Sequence, residues 1–155
     1  MTAIFPLTEW TKTNLSAIYS ATTQDDFTSA FNQFIADDAH ITVNGKHITR
    51  EKYQQLLEGQ KALQKSASVT YAGAVGVPKE KDNSLGLAGN VGVFYTATII
   101  ETVDILGVPA TRVVTSSLNL TTVQVGTTNN RVASVLNQVV STEEGPVDPR
   151  IPAAK

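Results

Sequence analysis

Two hydrophobic periods divide the chain. Up to about residue 63 the apolar positions recur at helical spacing. Phe27, Ala30, Phe31, Phe34 and Ile35 form a core-facing stripe, and this predicts a helix capped by Asp25 or Asp26 and ending at Asp37-Asp38. A helix before it starts at a Thr8 cap, gathers Trp10, Leu15, Ile18 and Tyr19 on one side, and runs to about Ala21. Ala39 to Val43 alternates like a strand, Asn44-Gly45 is a two-residue hairpin turn, and Lys46 to Ile48 returns. Thr49 then caps a third helix, with Tyr53, Leu56, Leu57 and Leu63 facing inward.

From Ser66 the period becomes two. It predicts strands over Ala67–Val77, Leu85–Ile105, Val108–Val125 and Arg131–Val140. Pro78–Ser84, Leu106-Gly107 and Gly126–Asn130 join them. Successive strand residues point to opposite faces, so parity sorts inside from outside. The inner set is Val69, Tyr71, Val91, Val93, Tyr95, Ile99, Val114, Leu118, Leu120 and Leu136. A turn at Leu106-Gly107 sets Ile99 against Val114, Tyr95 against Leu118, Val93 against Leu120 and Glu101 against Arg112. A turn centred near Thr128 sets Leu120 against Leu136 and Leu118 against Gln138, and a symmetric turn at Pro78–Ser84 sets Tyr71 against Val91. Together these predict an α+β fold, a cone-shaped curved antiparallel sheet wrapped around three N-terminal helices. Residues 1–141 form one domain. Residues 142–155 are a Pro-rich C-terminal tail that cannot extend the sheet.

Composition narrows the function. A chain of 155 residues is long enough for one well-buried core. It has no cysteine, which removes thiol nucleophiles, disulfides and zinc–thiolate sites and fits a reducing, cytoplasmic setting. A net charge of −2 with no basic block argues against nucleic acid as a partner, and no apolar run reaches membrane-spanning length. Asp37-Asp38 lacks further ligands at metal-binding spacing and reads as a turn former. Neither a metal nor a cofactor is expected. His40 and His47 flank one hairpin and take no role.

Glu101 lies on the inner face between Ile99 and Val103. It is either a desolvated acid or base, or half of a cross-strand ion pair with Arg112. The outer face carries Thr96, Thr98, Ile100, Thr102, Thr111, Val113, Thr115 and Ser117. It is β-branched and uncharged, and suits burial against a second copy.

The run FIADDAHITVNGKHITREKYQQLL, residues 34–57, together with the order of elements, resembles the nuclear transport factor 2-like superfamily in its SnoaL-like branch. The resemblance covers about Thr8 to Val140. It implies a pocket in the cone for a small, mostly apolar molecule, and a homodimer packed through outer sheet faces. Members include ketosteroid isomerases, polyketide cyclases, dehydratases and epoxide hydrolases, and others only bind partners. The candidate ligand-binding set is Trp10, Tyr19, Phe31, Tyr71, Tyr95, Arg112, Leu118 and Gln138, with Glu101 as candidate base. Aligned on IADDA, Val43 stands where the isomerases keep their general-base Asp, and a Val cannot take a proton. Two readings follow: a pocket protein with isomerase- or lyase-type acid–base chemistry, or a non-catalytic dimeric scaffold or interaction module.

Overall fold

A computed structural model describes residues 6–79, 87–126, 128 and 130–145. The elements are helices α1 (Leu7–Ser20), α2 (Gln24–Phe34) and α3 (Arg50–Gln60), with strands β1 (Ile35–Val43), β2 (Lys46–Ile48), β3 (Gln64–Pro78), β4 (Gly89–Ile105), β5 (Val108–Gln124) and β6 (Arg131–Gly145). The strands form one open sheet in the order β2-β1-β6-β5-β4-β3. The expected α+β architecture holds. The sheet is mixed, however, because β1 runs parallel to β6. The helices cover one face, where Tyr19, Phe31, Phe34, Tyr53 and Leu57 join the inner strand residues in a single core.

Several local expectations change. The N-cap of α2 is Thr23, whose hydroxyl accepts from the Asp26 amide, and α1 begins after Pro6 without a side-chain cap. Thr49 caps α3 as expected, accepting from the Lys52 amide. Helix α2 ends at Phe34, and Asp37-Asp38 lie on β1 rather than at a helix exit. Ile35 fits a helical stripe and an inward strand position equally well, so spacing alone cannot place that boundary. Arg50 holds the junction by donating to the Ile35 and Ala36 carbonyls and the Asn32 amide oxygen. Leu63 is not inward but largely exposed.

The register follows parity more faithfully than pairing. Between β5 and β6, Leu120 faces Leu136 and Leu118 faces Gln138, as expected. Between β4 and β5 the hairpin turns at Leu106-Gly107, both at positive φ. An irregularity between Ile100 and Asp104 then slides the strands by two residues. Ile99 therefore faces Arg112, Tyr95 faces Ser116 and Val93 faces Leu118, while Glu101 faces Gln64 of β3. The slide is even, so every side chain keeps its face.

Tyr71 faces Tyr95 rather than Val91. Strand β4 enters at Gly89, where any side chain would meet the Val77 carbonyl at 2.4 Å. The expected strand start at Leu85 and most of the Pro78–Ser84 turn lie outside the described residues, as do parts of the Gly126–Asn130 turn and the tail from residue 146. The last strand does not stop at Val140. Glu143, Glu144 and Gly145 pair with Val113, Arg112 and Thr111 and extend the sheet. No helix among the described residues is long and apolar enough to cross a membrane.

Candidate functional site

The middle of the cone holds a hydrogen-bonded chain of side chains. Tyr53 Oη donates to Gln138 Oε1 at 2.8 Å. Gln138 Nε2 donates to Tyr95 Oη at 2.9 Å and to Ser116 Oγ at 2.7 Å. Tyr19 Oη donates to Gln60 Oε1 at 2.9 Å and lies 3.0 Å from Tyr95 Oη. The single hydroxyl proton of Tyr19 is committed to Gln60, so Tyr95 donates to Tyr19. The chain thus runs in one direction, Gln138 to Tyr95 to Tyr19 to Gln60. Tyr19, Tyr95 and Gln138 are wholly buried, and each of these hydroxyl and amide groups has a partner in the chain.

Burial sets the electrostatics. Desolvation pushes Tyr19 and Tyr53 well above the ordinary phenol value of 10.0, helped by the neighbouring phenols. It also raises Tyr95, although hydrogen bonds with Tyr19, Ser116 and Gln138 oppose part of that rise. Tyr71, half-buried at the network's edge, is raised for the same reason, and its hydroxyl bonds Ser16 and the Lys12 carbonyl.

The candidate ligand-binding residues do not form one site. Tyr19, Tyr71, Tyr95 and Gln138 come together, with Leu118 beside Gln138 in the ladder. Phe31 stands behind Tyr53, ring centroids 6.2 Å apart. Trp10 lies tilted against Phe34, ring centroids 5.3 Å apart, under the Arg131 guanidinium, and makes no hydrogen bond to the network. Glu101 is six residues along β4 from Tyr95, on the order of 20 Å away.

There Glu101 Oε2 sits 3.7 Å from Arg112 Nη2 without a hydrogen bond of its own. Arg112 also donates to the Gly59 carbonyl at 2.6 Å and pairs with Glu144. The arginine thereby ties the end of α3 and the end of β6 to the sheet. Val43 is buried in the core.

Sequence reasoning missed Gln60 and Ser116, and assigned Tyr53 only to the core. A signal existed for each. Gln60 continues the buried Tyr53, Leu57 stripe of α3, and Ser116 has the same parity as Val114 and Leu118. Asn44 is more than a turn residue. Its amide bonds both backbone groups of Val140, and its own N–H donates to the Gln138 carbonyl, fixing the strand that carries Gln138.

Gln138→Leu keeps the volume and leaves the Tyr53 and Ser116 hydroxyls without this partner. Urea unfolding is expected to show a loss of roughly 2–4 kcal/mol. A change below about 0.5 kcal/mol would mean that the network adds nothing to stability.

Two concavities lie elsewhere. One, about 260 Å³, is lined by Thr22, Gln24, Phe27, Glu58, Lys61 and Gln64. In it Lys61 Nζ donates to the Tyr19 and Ala21 carbonyls. Burial lowers its pKa to about 8, and its position is that of a clasp on the end of α1. The other, about 370 Å³, lies on the outer face of the sheet, between Val75, Val77, Asn90, Gly92, Asn119, Thr121, Val135 and Asn137. No group of three or more His, Asp or Glu side chains that could hold a metal is found among the described residues.

No protein-family model and no curated protein matches the sequence. Solved structures do match. A scytalone dehydratase-like protein from Novosphingobium aromaticivorans is 15% identical, with 95% of this chain and 92% of that one covered at a TM-score of 0.62. The Mtr2–Mex67 M domain complex of Candida albicans contains a chain 9% identical, with coverage of 88% and 90% and a TM-score of 0.53. A nuclear transport factor 2-like protein from an Exiguobacterium species is 13% identical, with coverage of 89% and 98% and a TM-score of 0.50.

Proposed function

We propose that this chain, which has the nuclear transport factor 2-like fold, is a non-catalytic interaction domain that forms a homodimer through its outer sheet face. The observation that carries this reading is the closed network at Tyr95. Where the fold can keep a pocket, phenols and carboxamides here satisfy one another and leave the cone as core.

The outer face supports the same reading. Ser66, Ser68, Thr70, Val75 and Val77 on β3, and the alternate residues Asn90 to Ile100 on β4, Thr111 to Val123 on β5 and Val135 to Ser141 on β6, include no charge. Phe94 is 45% exposed, and Val75 and Val139 are 63% exposed. A face left to water is ordinarily studded with Lys and Glu, and contiguous apolar exposure marks an interface. The absence of cysteine suits the cytoplasm. In the solved Mtr2–Mex67 M domain complex, a chain similar in fold to this one is bound to a partner protein.

Sedimentation of the wild type is expected to report a dimer. Phe94→Glu, which places a charge on the face of each copy, is expected to give a folded monomer. A wild type that stays monomeric across the concentration range sinks the proposal.

A second reading has its own observation. Three phenols, two amides and a hydroxyl converge between apolar walls, as polar groups do around an oriented ligand. Opened, the cone would take a small, mostly apolar molecule for isomerase- or lyase-type chemistry, but Glu101, on the order of 20 Å along β4 from Tyr95, is too far away to act there as base. Native mass spectrometry of protein from its own cells decides between the two. A retained small molecule favours the pocket, and an empty dimer favours the interaction domain. With a substrate in hand, Glu101→Gln is expected to leave turnover unchanged.

A further inference from the structure

The outer face is ordered in rows that cross the strands. One row reads Val75, Gly92, Asn119, Asn137, and the next along the strands reads Gly73, Phe94, Ser117, Val139. The first row is a hollow. Gly92 contributes no side chain, and the groove of about 370 Å³ opens above it. The second row is a ridge, with Phe94 and Val139 standing out of the sheet.

Glycine and asparagine are poor strand residues, yet Gly92, Asn119 and Asn137 occupy the interiors of three adjacent strands. Glycine inside a strand marks a bulge, a bend or a close approach by a ligand or another chain; the pairing at Gly92 is regular on both sides, which leaves the close approach, and a local choice that opposes the fold points to function.

We infer that the Gly92 hollow receives Phe94 from a second copy of this chain. The inference rests on the reading above that the outer face is a dimer interface, and it names the contact that sets the interface's register. A two-fold axis lying across the strands, midway between the two rows, exchanges hollow and ridge. Each Phe94 then covers the Gly92 of the partner copy, and each Asn119 amide meets a Ser117 hydroxyl.

No charge is brought against its own image: the rows from Asn90 to Thr96 carry none, and Glu143, opposite Val113, lies beyond them. About that axis the rows from Asn90 to Thr96 overlap their images across four strands, on the order of 500 Å² per partner at ordinary strand spacings, close to the ~1,000 Å² in total that a biological interface should clear. Any other occupant would have to be neutral and carry its own aromatic knob, and this chain already supplies both.

Size-swapped variants test the pairing by concentration-dependent sedimentation. Gly92→Leu fills the hollow and Phe94→Ala removes the knob, and each is expected to weaken the dimer roughly tenfold or more. The double variant, Gly92→Leu with Phe94→Ala, moves the bulk from ridge to hollow. Large then meets small across the interface again, and most of the loss is expected to be recovered. Gly92→Ala is the milder control for folding. Its methyl meets only the Asn119 amide oxygen at 3.0 Å and a Val75 methyl at 3.4 Å, and a smaller weakening is expected.

If Gly92→Leu dimerises like the wild type while Phe94→Glu is monomeric, the knob-and-hollow pairing is wrong and the outer-face dimer stands. If Phe94→Glu leaves the dimer intact, or the wild type is monomeric, both fail.

Discussion

Raised above pH 10, the protein is expected to unfold cooperatively while its tyrosines are still protonated. All four tyrosines of the chain are Tyr19, Tyr53, Tyr71 and Tyr95, and burial raises each of them. A phenol that holds its proton longer in the folded state stabilises that state fully below the unfolded value of about 10 and loses the contribution as pH rises beyond it. Each fully buried phenol costs about 1.4 kcal/mol per pH unit in that range. Tyr19, Tyr53 and Tyr95 together remove about 4 kcal/mol per unit, against a domain stability of roughly 5–15 kcal/mol.

Lys61 acts in the opposite sense. Its ammonium is the form that burial penalises, so it adds stability as pH rises from about 8 towards its ordinary 10.5. A shallow gain should therefore precede the steep loss. Tyrosinate absorbance is expected to appear in one step with the loss of circular dichroism, and Tyr19→Phe should flatten the slope by about a third. Absorbance that climbs smoothly near pH 10 in a folded protein would contradict the closed network.

The second large effect is expected from Arg112→Met. Removing the guanidinium strands the Glu101 carboxylate, which is 5% exposed, and frees the Gly59 carbonyl. Loss of one partner from a buried pair costs roughly 3–5 kcal/mol. Adding Glu101→Gln to Arg112→Met removes the uncompensated charge and should return much of that stability, whereas Glu101→Gln alone should cost less than Arg112→Met. Equilibrium unfolding of the three variants checks the order. An Arg112→Met variant as stable as the wild type would show that the ion pair holds nothing together.

Parity carried the reading of this molecule further than turn geometry did. The inner residues from Val91 to Leu136 are inside because a strand has only two faces, and no pairing error with an even offset can alter that. Pairing depends on what happens at the ends. The Leu106-Gly107 turn was legible, but the irregularity beyond Ile100 left no mark in residues 101–105, which hold no glycine or proline. The β3–β4 register failed because the length of chain between Pro78 and Gly89 does not reveal its own symmetry. Of the network, Tyr95 and Gln138 stood out as polar groups on an apolar face. Ser116 shares the inner parity but is too small to stand out among Val114 and Leu118, and Gln60 lies in the last turn of α3, beyond the apolar positions that define its inner stripe. That the phenols and amides satisfy one another across four elements is a property of three-dimensional closure and cannot be read from spacing.

The two-residue slide between β4 and β5 has a consequence for how this chain tolerates change. Glu101, Thr102 and Val103 lie opposite Ala110 alone, so the hairpin tip already stores one extra pair of residues. Insertions or deletions there in steps of two leave every residue beyond them on its own side, and the core does not register the edit. A single-residue insertion that shifts the pairing by one turns one strand over against the other: with β4 held in place by β3, Val114 goes outward and Thr115 inward. The length of this hairpin is thus free to drift in even steps only, which makes it a natural place to graft a new segment onto the fold.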